Sequence, residues 1–333
     1  MNHSSVGPRF IRAALLAGFL ATTSAWALET TTNRVFQVSP GGRLVLDVDR
    51  GSIEVTTSDE AAVNLTVHRE VKRASDSTAR EMLDLHQLTF TQDGNSVVVK
   101  ARMLKPDRSW RGPNLSVRYQ VVVPKQFDLQ FDTAGGSIRV PDLTGKVDLG
   151  TAGGSISVGK LDGTLKAETA GGSVTVEGAT GPTSVETAGG SIRLGVMGAA
   201  VNAETAGGSI QIKSAAGPVK AETSGGSIEL GDLQGPVEAD TSGGSISARF
   251  SKNPADVSLA TSGGSISVYV PEDSSFNLDA ECSGGRVSSE VPVTISGKPS
   301  RSELRGPVGQ GGAKVVLRTS GGGIAIKKLV ATK

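Results

Sequence analysis

A pair of glycines recurs at a fixed interval through the middle of this chain, and this period constrains the fold more than any other feature. The periodic series begins with the pair at Gly135, returns every 18 residues as far as Gly243, and continues 20 residues later at Gly263. A period this short is typical of a repeat architecture rather than of a globular domain. The first glycines of the pairs are Gly135, Gly153, Gly171, Gly189, Gly207, Gly225, Gly243 and Gly263.

The apolar residues of each unit predict two short strands. In the unit that begins at Gly225, Ile228 and Leu230 are spaced by two residues, and so are Val237 and Ala239. This alternation is typical of half-buried strands and excludes a helix, whose apolar residues recur every 3.6 residues. Each unit is therefore predicted to form one coil of an all-β, parallel β-solenoid, with the isoleucines of successive coils stacked in one inward column.

Glycine and proline mark the corners of the predicted coil. We expect the Gly-Gly pair to adopt positive φ at one corner, which glycine does without steric cost. Gly-Pro dipeptides at 181–182, 217–218 and 235–236 mark a second corner. The eight glycines given above are therefore predicted to be structural corners.

The first 27 residues have the organisation of a secretory signal peptide. Arg9 and Arg12 precede an apolar run over residues 13–21, and Ala25-Trp26-Ala27 is a small-x-small cleavage site. The run is too short to span a membrane, and no later stretch approaches the roughly 20 apolar residues that a spanning helix needs. The mature chain is therefore predicted to be exported, to the periplasm, the cell surface or the medium, without a transmembrane segment.

Cleavage after Ala27 would leave a nearly neutral chain. It removes two of the 34 lysines and arginines and none of the 33 acidic residues, so the mature net charge is −1. This balance argues against nucleic acid or an anionic membrane surface as a partner. The single cysteine, Cys282, occupies the slot of Thr205 and Thr223 in the repeat and is interpreted as a small packing residue, with an intermolecular disulfide as the alternative.

Residues 28–132 differ in composition from the repeats and predict a β-rich capping region that is continuous with the solenoid. Six alternating segments between residues 43 and 123 predict strands. One helix is predicted from about Ser77 to His86, with Asp76 as its N-cap. The solenoid is predicted over 133–333.

The solenoid repeats are regular over 133–262 and irregular over 263–333, where the spacing of the glycine pairs grows. Insertions in a solenoid leave the coil at its corners. Residues 298–310 are therefore predicted to form a surface loop, and the last unit, which begins at Gly321, to close the stack.

The order of these segments invites a comparison with a known family. Val121-Val122-Val123-Pro124 ends the β-rich segment, and residues 128–133 run into serial Thr-Ala/Ser-Gly-Gly-Ser-Ile coils. In these features the chain resembles the bacterial β-strand-repeat proteins of unknown function that carry the name "putative adhesin". The resemblance implies a parallel β-solenoid in the cell envelope or at its surface, and it brings no catalytic residues.

The residues needed for catalysis are scarce. His3 is lost with the signal peptide, and His68 and His86, interpreted as partly exposed, both lie outside the solenoid, so neither a His-based triad nor a His metal site is predicted there. The double glycines do not fit a phosphate-binding loop, because no GxGxxG or GxxxxGK pattern follows a strand and opens a helix. We therefore predict no catalytic residues, no cofactor and no metal site.

One outward position of the repeat keeps a carboxylate in five successive units. Stacking would bring these like charges together, which is unfavourable. Lys166 and Lys220 in the same strands, or Arg139 and Arg193, could relieve the repulsion. Solvation could also suffice, because two charges about 4 Å apart in water interact by only about 1 kcal/mol. A solvated face, a site for a cation such as calcium, and a partner-binding stripe all remain open for Glu168, Glu186, Glu204, Glu222 and Asp240.

The sequence favours a non-enzymatic exported protein, either an adhesin or a cell-envelope interaction module. Its partner would be an envelope or surface protein or a polysaccharide. A structural scaffold is the first alternative, if coils of successive molecules can stack end to end. A solenoid-type polysaccharide-active enzyme is the second, but it needs carboxylates and aromatic residues in one cleft, and after Thr133 the chain has only Phe250, Tyr269 and Phe276 as aromatics.

Overall fold

The computed structural model describes residues 28–72, 74–104, 114–295 and 300–329. Within these residues two long sheets face each other, sheet A with 15 strands and sheet B with 14. Their inward side chains form one continuous apolar core along the stack. The protein is a parallel β-solenoid, as the glycine period predicts. The predicted signal peptide, residues 1–27, lies outside the described residues.

The N-terminal segment forms strands of both sheets and a helix. The six predicted strands are confirmed as β2 to β7, and the sequence analysis missed β1. The helix begins one residue earlier than expected, with Ser75 rather than Asp76 as the N-cap; its Oγ accepts a hydrogen bond from Thr78 N. The elements are β1 Leu28–Gln37, β2 Gly42–Val48, β3 Ser52–Ser58, β4 Ala62–Lys72, α1 Asp76–Leu85, β5 His86–Asp93, β6 Ser96–Met103, β7 Asn114–Pro124 and β8 Phe127–Thr133.

The regular coils alternate between the two sheets. Even-numbered strands from β12 to β24, together with β9, belong to sheet A, and odd-numbered strands from β11 to β23 belong to sheet B, while β10 pairs with β12. The strands are β9 Ile138–Val140, β10 Leu143–Thr144, β11 Val147–Thr151, β12 Ile156–Asp162, β13 Leu165–Thr169, β14 Val174–Ala179, β15 Thr183–Thr187, β16 Ile192–Met197, β17 Val201–Thr205, β18 Ile210–Ala215, β19 Val219–Thr223, β20 Ile228–Leu230, β21 Val237–Thr241, β22 Ile246–Arg249, β23 Val257–Thr261 and β24 Ile266–Val270.

The 18-residue period sets the register of both sheets. Ile192 is paired with Ile210, and Ile210 with Ile228, in parallel strands. These isoleucines are completely buried or nearly so. The predicted inward column is therefore confirmed.

A threonine holds the Gly-Gly corner of each regular coil. Thr205 Oγ1 donates a hydrogen bond to the carbonyl oxygen of Gly190 in the preceding coil, at 2.8 Å. Thr205 Oγ1 also accepts a hydrogen bond, from the backbone N–H of Gly208 at 3.3 Å. Each threonine thus joins its own corner to the corner of its neighbour. The pair of bonds recurs at Thr151, Thr169, Thr187, Thr223, Thr241, Thr261 and Thr319.

The expectation that the corner glycines need positive φ is wrong. None of the eight predicted corner residues has a φ in the left-handed region. The second glycine of each pair is required for a different reason: a Cβ on Gly208 would lie 1.9 Å from Gly190 O, whereas the nearest atom to a Cβ on Gly207 would be Gly189 O at 3.5 Å. The pair therefore allows close approach of neighbouring backbones, and its first member has space for a side chain.

The first coil of the chain is not the first coil of the stack. β2 lies between β6 and β8 in sheet B, and β3 lies between β7 and β9 in sheet A. Beyond them, β4 and β1 extend sheet A in antiparallel fashion, and β5 extends sheet B. Helix α1 packs against β1, β4 and β5 and closes this end of the core with Ala79, Met82 and Leu83.

The C-terminal end has a similar arrangement. The unit that begins at Gly321 does not close the stack, because β28 lies between β23 and β25, and β29 between β24 and β26. The predicted loop over 298–310 contains a strand, β27, antiparallel to β25, while residues 298 and 299 lie outside the described residues. The strands are β25 Phe276–Cys282, β26 Val287–Ser289, β27 Glu303–Val308, β28 Lys314–Thr319 and β29 Ile324–Lys328.

Cys282 takes the place of the corner threonine in this last coil. It is paired with Thr319, is buried, and is a free thiol. The interpretation of Cys282 as a small packing residue is confirmed.

The glycine pair gives a direct test of the corner. We expect Gly208→Ala to lower the free energy of unfolding by at least about 2 kcal/mol, because the methyl group must displace the neighbouring backbone. Gly207→Ala should change it by less than about 1 kcal/mol, and in the stabilising direction, since alanine restricts the unfolded chain. Urea unfolding followed by circular dichroism compares the two. Equal losses would contradict the close-approach explanation.

A second test restores the missing hydroxyl at Cys282. In Cys282→Thr the new Oγ1 lies where it can donate to Gly322 O, because Gly285 stacks on Gly322 as the other second glycines stack on theirs. We expect a gain of about 0.5–1 kcal/mol in the free energy of unfolding. Thr205→Val is the opposite change and should cost about 1–3 kcal/mol, since it leaves Gly190 O without its donor. A Cys282→Thr variant less stable than the wild type would contradict the proposed role of the hydroxyl.

Candidate functional site

The predicted carboxylates stand in one column on the outward face of sheet B. Strand register places Glu168 beside Glu186, and each following member beside the next. Neighbouring strands are about 4.8 Å apart, so the like charges are close. We call this column, Glu168, Glu186, Glu204, Glu222 and Asp240, the carboxylate ladder.

Lysines neutralise part of the carboxylate ladder, as predicted. Lys166 Nζ lies 2.7 Å from Glu168 Oε1, and Lys220 Nζ lies 2.8 Å from Glu222 Oε1. The pKa of each lysine is raised, mainly because the lysine donates a hydrogen bond to its glutamate. Among the described residues, Glu186 has no salt bridge.

The two arginines that were expected to help lie elsewhere. Arg139 and Arg193 are on strands of sheet A, and Arg139 Nη1 lies 3.7 Å from Glu54 Oε1 on that sheet. In the repeat, each of these arginines directly follows the inward isoleucine, Ile138 or Ile192, and faces outward from sheet A, whereas the ladder faces outward from sheet B. The prediction for these arginines is therefore wrong.

The column of the ladder continues into the capping region. Asp47 is paired with Asp132, Asp132 with Gly150, and Gly150 with Glu168. Burial first, and then the nearby Asp148, Asp47 and Glu168 carboxylates, raise the pKa of Asp132. The sequence analysis missed this extension. Asp132 could have been found, because it precedes Thr133 as each ladder residue precedes a corner threonine.

A hollow of about 660 Å³ opens where Gly150 interrupts the side chains of the column. Asp47, Asp132, Glu168 and Glu186 line it, and so does Arg102, which forms salt bridges with Asp47 and with Asp49 at 3.4 Å. Arg102 therefore neutralises part of the acidic charge of this hollow. Within the described ranges, no three His, Cys, Asp or Glu side chains are arranged to hold a metal ion.

An apolar groove of about 790 Å³ runs beside the ladder along the second corner. Exposed Pro182, Ala200, Pro218 and Pro236 lie on successive coils and form its apolar wall. Each of these residues precedes a ladder carboxylate by four positions, about 13 Å along an extended strand. The Gly-Pro motif predicted the corner but not that its prolines would form a continuous surface. We call these four residues and the ladder together the sheet B face.

Residues 42–327 match the family model described as Toastrack DUF4097. The chain belongs to the Toastrack DUF4097 family. The match spans most of the capping region and of the solenoid, and it confirms the resemblance to a repeat family of unknown function. No curated protein sequence matches this Toastrack chain.

Several solved structures are similar to the Toastrack chain at low identity. A "putative adhesin" from Bacteroides fragilis NCTC 9343 has 14% identity and a TM-score of 0.37, with 90% of this chain and 97% of that chain covered. A "putative adhesin" from Parabacteroides merdae ATCC 43184 has 12% identity, a TM-score of 0.35, and coverage of 90% and 96%. A "putative lipid binding protein" from Parabacteroides distasonis ATCC 8503 has 13% identity, a TM-score of 0.33, and coverage of 90% and 97%.

The part of the Toastrack chain that the structure describes contains no helix with the length and apolarity to cross a membrane. Its aromatic residues are mostly internal: Phe250 and Phe276 are buried. Tyr269 lies on the outer side of sheet A, within 5.5 Å of Arg249 and 5.3 Å of Lys327. Phe250, Phe276 and Tyr269 therefore lie away from the sheet B face.

The two histidines within the described residues of the Toastrack chain have different environments. His68 is exposed and hydrogen-bonds with Thr31 Oγ1 at 3.1 Å and Gln120 Oε1 at 3.0 Å. His86 is only 1% exposed, so its interpretation as partly exposed is wrong. Burial first, and then the positive charges of Arg69 and Arg50, lower the pKa of His86 to about 4.

This depressed pKa predicts that acid destabilises the capping region. Above pH 6.5 His86 is neutral in both the folded and the unfolded chain. As the pH falls from 6.5 towards 4, only the unfolded chain takes up the proton, so the free energy of unfolding should decrease by roughly 2–3 kcal/mol. Hydrogen exchange of α1 and β5 between pH 7 and pH 4 measures this loss.

A matched pair of variants isolates the contribution of His86. His86→Leu should reduce the dependence on pH, and His68→Gln, which changes the exposed histidine, should leave it as in the wild type. The same pH dependence in His86→Leu and the wild type would assign the acid effect to carboxylates instead.

Proposed function

We propose that the chain is a non-enzymatic exported interaction module, an adhesin or cell-envelope binding protein, that holds an elongated partner along the sheet B face. The observation that carries this proposal is the carboxylate ladder. Neighbouring outward positions change from coil to coil, for example Lys166, Ser184, Asn202 and Lys220, whereas the ladder position stays acidic through five coils.

The fold alone does not account for an acidic column. Gly150 and Ala260 occupy the same column at either end of the ladder without interrupting the strand pairing. Like charges in register are unfavourable, so the ladder lowers stability slightly rather than raising it. A partner that brings positive charge would remove this repulsion on binding.

The chemistry of the face indicates the class of partner. Carboxylates that repeat about every 4.8 Å suit a surface protein or a polysaccharide with repeated positive groups. Beside the carboxylates, a partner could also make apolar contacts with the wall of the groove, formed by Pro182, Ala200, Pro218 and Pro236. Each ion pair in water contributes little. Useful affinity would therefore come from many contacts made at once along the stack.

Export and the lack of catalysis are part of the same proposal. The arginines, apolar run and small-x-small site of residues 1–27 support export. The placement of His86 in the core, away from the ladder, supports a chain without catalytic machinery.

The test removes charge from the ladder without changing its shape. We expect the triple variant Glu186→Gln, Glu204→Gln and Glu222→Gln to fold as the wild type does and to be equally or slightly more stable. Binding of the purified chain to immobilised poly-lysine, chitosan and bacterial envelope fractions should weaken by at least about tenfold. Measurements with and without a calcium chelator separate direct binding from calcium-bridged binding.

The control triple is Glu54→Gln, Glu177→Gln and Glu229→Gln. It removes the same charge from sheet A, and each triple contains one glutamate that is ion-paired within the chain. The control should bind like the wild type. Equal loss of binding in both triple variants would show that net charge alone causes the effect. Full binding by the ladder triple variant would contradict the proposal.

A further inference from the structure

The N-terminal end of the stack presents a long strand edge. Counted from β2 and β3, sheet A continues through β7, β4 and β1, whereas sheet B continues only through β6 and β5. Sheet A is therefore one strand longer at this end, and α1 packs beside the overhang. Among the described residues, β1 is paired with β4 alone.

Hydrogen-bond direction shows which groups of β1 face outward. One residue beyond the paired strands and in the same register, Val38 N donates to Ala61 O at 3.0 Å. Antiparallel pairs alternate along a ladder, so the even-numbered residues of β1 bond to β4. The backbone N–H and C=O groups of Glu29, Thr31, Asn33 and Val35 therefore point away from the sheet, towards the position of another strand. Asn33 O accepts a hydrogen bond from the exposed side chain of Arg34, Nη1 at 3.1 Å, which a partner strand would have to replace.

The sequence of β1 carries little of the usual protection of an edge, since its charged residues are Glu29 and Arg34 alone. Natural edges are blocked by proline, lysine, bulges or short length. β1 has ten residues, contains no proline or lysine, and leaves Val35 62% exposed. It is also the first element after the predicted cleavage at Ala27, so processing would leave Leu28 at the start of the strand.

The opposite end of the stack is closed. The outermost strand of sheet B, β27, contains Pro307 and has Gly306 at φ 151°, and Thr294 N already donates to Pro307 O. The outermost strand of sheet A, β26, has three residues, and Val287 N donates to Arg301 O. An end-to-end filament needs an open edge at both ends, and the part of the chain that the structure describes has a long open edge at one.

We propose that two copies of the exported chain pair through β1 and form a closed, two-fold symmetric dimer. The strands run antiparallel, with the symmetry axis at Thr32. An axis at Thr32 or at Asn33 overlaps nine of the ten residues of β1 and places outward groups opposite outward groups. The axis at Thr32 is preferred because it also pairs Leu28 with Phe36, and it joins the two copies of sheet A into one continuous sheet. The interface uses the same strand twice, so it closes after two copies and cannot propagate.

The register is self-complementary. Leu28 lies opposite Phe36 of the partner subunit, and both side chains are partly buried against the core. Each therefore covers the end of the other's core. Glu29 lies opposite Val35 of the partner subunit, and the outward backbone groups of Thr31 and Asn33 bond to each other across the interface.

Sedimentation velocity of the processed chain over a dilution series is the first measurement, with intact mass to identify the processed form. We expect a dimer that dissociates on dilution. A monomer at every concentration would overturn the proposal.

Variants of β1 then test the interface and its register. Val35→Glu places a like charge opposite Glu29 of the partner subunit and should raise the dissociation constant at least about tenfold. Val35→Lys places an opposite charge there and should preserve the dimer. Asn33→Pro removes an outward N–H while keeping every bond to β4, so it should weaken the dimer and leave the thermal unfolding of the monomer nearly unchanged.

The matched control is Ile295→Glu, which adds the same charge to an exposed β-branched residue at the other end of the stack. It should dimerise as the wild type does. If Ile295→Glu loses the dimer and Asn33→Pro does not affect it, the contact lies at the C-terminal end of the stack rather than at β1, and the proposal is overturned. Equal weakening by Val35→Glu and Val35→Lys would overturn the register at Thr32.

Discussion

The corner threonine is the interaction on which the rest of this structure depends. Its hydroxyl donates to a glycine carbonyl of the preceding coil and accepts from a glycine N–H of its own corner, as Thr205 does with Gly190 and Gly208. These bonds form only if the two backbones approach so closely that the second glycine has no room for a Cβ. One hydroxyl and one absent side chain therefore fix the register of each coil on the next, and the columns of inward and outward residues follow from that register.

The carboxylate ladder is a consequence of this register and not a cause of it. Glu186 and Glu204 stand side by side because their threonine neighbours, Thr187 and Thr205, hold successive corners. The ladder is exposed, so water and Lys166 or Lys220 reduce the repulsion to an amount that the corners can tolerate. A solenoid can thus display one chemical group at regular spacing at little cost in stability.

The features that repeat could be predicted from the sequence. Prediction failed for the role of the glycines and for the order in which the last coils stack, because the sequence pattern allows more than one explanation for each. Period and alternation were sufficient for the coil, the inward column of Ile210, and the ladder. They could not show whether Gly207 and Gly208 serve positive φ or close approach, because both demands select glycine. They also could not place β28 and β29 inside the stack. The unit at Gly321 has the same pattern as its neighbours, and a pattern specifies how coils stack but not in which order.

The proposed dimer and the sheet B face are compatible in geometry. A two-fold axis perpendicular to sheet A relates the two copies by a rotation within the plane of that sheet. Both copies of sheet B therefore lie on the same side of the joined sheet. The two ladders would then lie on one face of an elongated particle, in opposite directions along it. Contacts between single charges in water are weak, so the strength of binding depends on how many can be made at once. A closed dimer therefore doubles the number of contacts available to a long partner without requiring any coil to bind more tightly.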